Sequence, residues 1–221
     1  MHLSLILFIV CFNFISVILV NAQNLQHLEI SYPPPMYIGT PTDMKVERLE
    51  NPWEVTRPVF YVPEGTHNVA LNKWIEFTGE EPLIGDVKLI NDGDKQGVEG
   101  SYVELSPGNQ HITIDLESPC NIYAIVIWHY HAKARVYYDV IVQISDDPDF
   151  LFGVHTLFNN DFDNSSGYGA GENLNYIESN EGKLVDGKGL QARYIRLHSN
   201  GNNDNDLNHY TEVEIFGKPA Y

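Results

Sequence analysis

The sequence predicts an all-β fold, a sandwich or barrel of short strands, carrying a proline-rich extended N-terminal arm. Three observations lead there. Runs rich in Val, Ile and Tyr recur from Thr66 to Phe216, parted by clusters of Gly, Asn, Asp and Pro. Ile112, Ile114 and Leu116 alternate with His111, Thr113 and Asp115, the two-residue period of a strand with one wet face. No segment sustains the 3.6-residue period of an amphipathic helix.

Taken in order, the chain opens on an apolar run from Leu3 to Val20, followed by Val20-Asn21-Ala22. A run of this length ending in small residues reads as a secretory signal (residues 1–22) cleaved after Ala22. The alternative is a membrane anchor, since 18 residues just span a bilayer. After signal removal, no further run is long enough to insert into a membrane. Cys11 leaves with the signal, so Cys120 is the one remaining cysteine and no internal disulfide can form. Residues 23–65 form the arm. Seven of the 12 prolines lie between Pro33 and Pro63, which excludes a helix or a central strand. Its Tyr37, Ile38, Trp53, Val59, Phe60, Tyr61 and Val62 favour an arm packed on a domain over a free tether.

Residues 66–218 form the β-domain. The expected strands are 68–75, 101–105, 111–116, 122–129, 136–145, 153–158, 173–178, 192–199 and 210–216. Ile122 to Trp128 is almost continuously apolar, so this strand is expected at the centre of a sheet. Two loops, Asn159–Gly171 and Asn200–His209, are dense in Asn, Asp and Gly, which tolerate left-handed backbone and offer oxygen ligands. The first carries the sequon Asn164-Ser165-Ser166.

Charge narrows the function. Thirty acids against 13 bases give a formal charge of −17, all of it outside the signal. A nucleic-acid binder needs Lys and Arg against phosphate, and docking on an anionic membrane needs the same. No G-x-S-x-G, H-E-x-x-H or phosphate loop is present, so the sequence offers no catalytic motif.

Seven stretches in order resemble the discoidin, or coagulation-factor F5/8 type C, family. They are NVALNK (68–73), INDGD (90–94), HITIDLES (111–118), IYAIVIWHYH (122–131), YYDVIVQISDDPDF (137–150), ARYIRLHSNG (192–201) and EVEIFG (212–217). The resemblance implies a galactose-binding-like jelly-roll β-sandwich, the fold also used by many carbohydrate-binding modules, and leaves the arm unaccounted for. It implies a structural calcium held by Asp92, Asp94 and Glu212, with carbonyls near Leu89, Gly97 and Thr211. The sequence departs from the family where a Ser or Thr is expected near Gly97. It also implies a ligand site on loops at one end of the sandwich.

The residues themselves point to one such end. Sugar recognition needs an aromatic face and planar donors and acceptors. Trp128-His129-Tyr130-His131, followed by Lys133 and Arg135, supplies both. His129 and His131 share a face if the strand continues through them, and His131 and Arg135 are expected to be exposed. Asn200, Asn205, Asn208 and His209 complete the site if the second loop reaches the same end. Of Arg193 and Arg196, one is expected to pair with a carboxylate such as Asp115.

The reading is therefore a secreted, non-catalytic carbohydrate-binding or adhesion module for a glycan or glycoprotein. One alternative is a protein-interaction module with Phe162 and Tyr168 as apolar spikes. Another is a metal-dependent hydrolase built on His129, His131 and His209.

Overall fold

The structure, a computed structural model, describes residues 24–39, 41, 43–52, 57, 59–79 and 81–220. The signal (residues 1–22) lies outside them. The strands are β1 (Leu25–His27), β2 (Tyr61–Pro63), β3 (His67–Asn68), β4 (Trp74–Phe77), β5 (Val103–Leu105), β6 (Gln110–Trp128), β7 (Ile141–Ser145), β8 (His155–Asn159), β9 (Lys183–Ser199), β10 (Asn208–Tyr210) and β11 (Glu212–Pro219). A 3-10 turn, Val87–Asn91, is capped by Asp86, whose side chain accepts from the Lys88 N–H.

The fold is a galactose-binding-like β-sandwich built around two long bent strands. The main sheet runs β3-β11-β6-β9-β7-β8, and β4 pairs with β6. The first half of β6 pairs with β4 and with the end of β9, where β7 also attaches. Its second half pairs with β11 and with the start of β9. The β6–β9 register breaks between Asp115 and Cys120, at the bend where Glu117 has φ +68°. Bulges of this kind turn a strand from one layer to another. The bend is fastened by Arg193, which donates to both oxygens of Asp115 at 2.7 and 2.8 Å, as the sequence led one to expect.

Other strand expectations shift. The 68–75 run is broken by a turn, with the Asn68 side chain accepting from the Ala70 N–H and Asn72 at φ +57°. The 111–116 and 122–129 runs are one strand. Residues 136–140 lie outside β7, with Val136 and Tyr138 bonded to the 200–203 loop and Val140 to Asn160. Residues 173–178 are extended, with a single bridge from Asn175 to Leu49 of the arm.

Ile112, Ile114, Ile122, Ile125, Ile127, Ile195, Leu197, Val213 and Ile215 fill the main core. A second core lies on the outer face of β6 and β11, where Ala124, Val126, Trp128 and Phe216 pack against Leu28 and Val62 of the arm. This explains the unbroken apolar run, because both faces of the strand are dry. Trp128 is fully buried, and its indole N–H donates to the Asn180 carbonyl at 2.9 Å. Gly182, at φ +65°, passes over the indole so closely that a Cβ would lie 2.7 Å from it.

Polar bonds seat the arm along its length. Asn180 donates to the Pro33 carbonyl, Tyr37 to the Glu178 carbonyl, Asn175 to the Glu47 carbonyl, and Arg57 to the Glu181 and Gly182 carbonyls. Cys120 is buried, its thiol pushed up by burial, as suits an inert structural cysteine.

Truncating Leu28 to Ala tests the second core. The expected cost is about 2–3 kcal/mol in urea-unfolding free energy, as for a buried leucine. A change below about 0.5 kcal/mol would show that the arm contributes nothing to the fold.

Candidate functional site

The site forms where β6 ends. Thr211 donates from its N–H to the Trp128 carbonyl and from its hydroxyl to the His129 carbonyl, closing the ladder there. Beyond this point the chain runs beside the second Asn-rich loop. Asn200 N–H donates to the Tyr138 carbonyl and Tyr138 N–H to the Gly201 carbonyl. Asn203 N–H donates to the Val136 carbonyl, and the Asn203 side chain accepts from the Val136 N–H. The two loops therefore meet at one end of the sandwich.

Arg135 and His209 are the members of the expected set that come together. Arg135 donates to Asp204 Oδ2 at 2.7 Å, and its Nη1 lies 3.5 Å from His209 Nε2. His209 Nε2 also lies 3.0 Å from Glu104 Oε2, and β10 pairs with β5 so that these two residues face each other. The guanidinium sits 5.0 Å from the centre of the Tyr130 ring, and Tyr130 lies 4.8 Å from Tyr102. Both tyrosines are half-buried, and Lys133 beside them is exposed. Burial first, and the Arg135 guanidinium second, push His209 down to about 4.

The rest of the set is placed differently. His131 and Arg135 were expected to be exposed, and both are buried. The reason is that the strand stops at Trp128, so its alternation does not continue into the next residues. His129 is fully buried, stacked 4.4 Å from Tyr137, with Nδ1 2.6 Å from Glu178 Oε1. His131 donates from Nε2 to the Lys95 carbonyl at 2.8 Å and packs on Gly97, where a Cβ would lie 3.3 Å from the ring. Asn208 is buried as a staple, donating to the Ser106 and Gly108 carbonyls and accepting from the Gly201 N–H. Asn200 donates to Asp139, and Asn205 accepts from Asn202 and Leu207 within its own loop. The three histidines do not gather into a metal site. Each is held by a different acceptor, and among the described residues the one group of three metal-competent side chains within 4.8 Å is Asp139, Asp161 and Asp163. The oxygens of that group accept from Ser165, Ser166 and Asn200.

Sequence reading missed Tyr102, Glu104 and Asp204. Glu104 is 105 residues from His209, and only the short β5–β10 pairing brings it in. Phe162 and Tyr168 are exposed as expected, at 37% and 44%, with Arg48 over the Phe162 ring and Tyr168 against His198, and Leu151 and Phe152 at the β7–β8 turn are more exposed still, at 71% and 77%.

The acidic turn and the last strand do meet. Gly93 N–H donates to Glu212 Oε2 at 3.0 Å across 119 residues. Asp92 accepts from the Asp94 N–H, and Asp94 accepts from the Gln96 N–H and the Ser101 hydroxyl. Glu212 is fully buried, and its Oε1 has no partner. Burial pushes this carboxyl up to about 9, with Glu214 and Asp92 adding to the rise and the Gly93 N–H and Lys95 opposing it. Its folded value exceeds its unfolded value, so the stability it contributes is complete below about pH 4.5 and is lost as pH rises through about 9. Without divalent cation, unfolding free energy should fall across that window by up to about 1.4 kcal/mol per pH unit for this one proton. Glu212→Gln should flatten the slope, and an unchanged slope in that variant would contradict the assignment.

Comparison with known proteins places the fold. No protein-family model matches the chain, and no curated protein matches it. Among solved structures, the CpGH89CBM32-4 module of Clostridium perfringens, in complex with GlcNAc-α-1,4-galactose, is similar at 15% identity and a TM-score of 0.51, covering 70% of this chain and 96% of that one. A Streptococcus pneumoniae fucose-binding module, SpX-3, matches at 18% identity and a TM-score of 0.47, covering 70% and 98%. A family 89 glycoside hydrolase of C. perfringens matches at 18% identity and a TM-score of 0.49 over 69% of this chain, which spans only 15% of that enzyme's length. At these identities the likeness is one of fold.

Proposed function

We propose that the protein is a secreted, non-catalytic glycan-binding module whose ligand meets the loops at the β6 end of the sandwich. The observation that carries the reading is the cluster of Tyr102, Tyr130, Arg135, Asp204, His209 and Glu104, with Lys133 at its edge. Half-buried tyrosine rings offer a face to the apolar side of a sugar ring. The exposed Asp204 and Lys133 supply an acceptor and donors for hydroxyls, while Arg135 holds Asp204 and the inner pair of His209 and Glu104 lies beneath. The similar CpGH89CBM32-4 module is in complex with a disaccharide, which supports a glycan as the ligand class. Among the described residues no helix is long and apolar enough to cross a membrane.

Calcium fits the turn between Asp92 and Glu212. Calcium takes oxygen ligands, and the fully buried, unpartnered Glu212 Oε1 is such an oxygen beside an acidic turn. The carboxylate oxygens of Asp92, Asp94 and Glu212 do not lie within 4.8 Å of one another, so these residues would have to close on the ion, which would neutralise the buried carboxylate and tie the turn to the last strand. A protein-interaction role is the second reading, favoured by the exposed Leu151 and Phe152 at a turn that Asp147 holds through three backbone N–H groups.

A glycan array, run with calcium and with EDTA, tests the reading. Arg135→Ala and Tyr130→Ala should each lower affinity about tenfold or more for any glycan bound by the parent protein. His131→Ala should instead lower the melting temperature and leave affinity in place, because that ring bonds to the Lys95 carbonyl, outside the cluster. A flat array under both conditions would overturn the glycan reading. Calcium should raise the melting temperature at pH 8 in the parent protein and not in Glu212→Gln.

A further inference from the structure

Three polar parts of Glu178 each engage a different piece of the molecule, while its carboxylate Oε2 is buried without a partner. Its N–H donates to the Arg135 carbonyl at 2.8 Å. Its carbonyl accepts from the Tyr37 hydroxyl of the arm at 2.5 Å. Its carboxylate Oε1 lies 2.6 Å from His129 Nδ1, with both side chains fully buried. His129 stacks on Tyr137 at 4.4 Å and leans on Tyr210 at 4.9 Å, and Tyr137 in turn meets His209 edge-on at 5.9 Å. The path from arm to ligand end is thus continuous: Tyr37, Glu178, then by one branch the Arg135 backbone and by the other His129, Tyr137 and His209.

We infer that Glu178 is a positioning residue for the glycan-binding end, and that the docked arm is a structural part of that site because Tyr37 holds Glu178 in place. The inference rests on the glycan reading for its functional meaning, but its geometry stands apart from it. Residues 173–178 have one bridge, to Leu49 of the arm, and their backbone is otherwise tied to the domain by the Asn173 N–H on the Asn159 carbonyl and the Glu178 N–H on the Arg135 carbonyl. At its Glu178 end, a segment so lightly laddered takes its position from the Arg135 bond, the buried carboxylate and the arm. Moving it shifts the Arg135 backbone directly. Its carboxylate is buried against His129, so a displaced Glu178 leaves a buried polar group without its partner. Tyr37 itself touches neither Arg135 nor His209, so any effect of its hydroxyl at the binding end travels through Glu178.

The test uses the intact protein and two isosteric variants, Tyr37→Phe and Glu178→Gln. The first readout needs no ligand: the ¹⁵N shifts of the His129 and His209 rings and the amide shifts of residues 133–135. Both variants should move these signals, with Glu178→Gln the larger, while a control at the exposed Lys188, Lys188→Gln, in the stretch of β9 opposite Ile122, leaves them in place. The second readout is a titration with GlcNAc-α-1,4-galactose and with fucose. Tyr37→Phe should weaken binding of whichever sugar binds by about threefold to tenfold with little change in melting temperature, and Glu178→Gln by more. Unmoved ring and amide signals in both variants overturn the inference, whatever binds. Moved signals without binding of any glycan would leave the linkage standing and remove the glycan reading instead.

Discussion

The strand Ile122–Trp128 has two dry faces, and the second is covered by chain from the other end of the molecule. Ile125 and Ile127 point into the main core, while Ala124, Val126 and Trp128 lie under Leu28 and Val62 of the arm. Burying one large apolar side chain stabilises by about 1.5–3 kcal/mol. A bare outer face would expose Val126, Trp128 and Phe216 together. The arm is therefore the missing layer of the sandwich on this side. Its prolines suit that task, because an extended chain needing few ladder bonds can lie across a sheet face.

The same face organises the scarce positive charge. Lys95 sits 5.2 Å from the centre of the Trp128 ring, pairs with Glu214 at 2.7 Å, and donates to the hydroxyl and carbonyl of Ser31 in the arm. Lys183 pairs with Glu50 of the arm, Arg193 with Asp115 at the β6 bend, and Arg135 with Asp204 at the ligand end. In a chain of charge −17, these bases mark joints between segments distant in sequence. Such partly buried pairs add little net stability, but removing one partner strands the other, which makes them effective at fixing geometry.

What the sequence disclosed follows from which interactions are local. The alternation of His111–Leu116 and the apolar run after it identify an all-β fold, because each depends only on the strand's own faces. Arg193 with Asp115 was legible because both lie on strands with a recognisable period. The ligand end was half legible. Arg135 and His209 stood out as a base and an imidazole in Asn-rich, aromatic surroundings. Their partners Glu104 and Asp204 were hidden among 30 acids, and nothing local distinguishes one acid from another. His129 and His131 were expected to share a face if the strand continued through them, and the strand ends at Trp128, so that period does not reach them. Once the ladder stops, each ring turns to the nearest strong acceptor, Glu178 or the Lys95 carbonyl.

That turning-in separates two roles at this end of the sandwich. The rings and charges nearest the chain termini of β6 and β10 are inward and paired, so they are poorly suited to exchange partners with an incoming molecule. Tyr102, Tyr130 and Lys133 remain at the surface above them. A hydrated sugar gains only about 0.5–1.5 kcal/mol net per hydrogen bond, so such a site gains most from not moving when the ligand arrives. The buried tier provides that rigidity: Arg135 is held by Asp204 and by the Glu178 N–H on its carbonyl, and His209 by Glu104 and the β5–β10 pairing. In the proposed glycan site, recognition by the outer tier would then depend on order in the inner one, which is closed by Glu178, whose carbonyl is bonded to the arm.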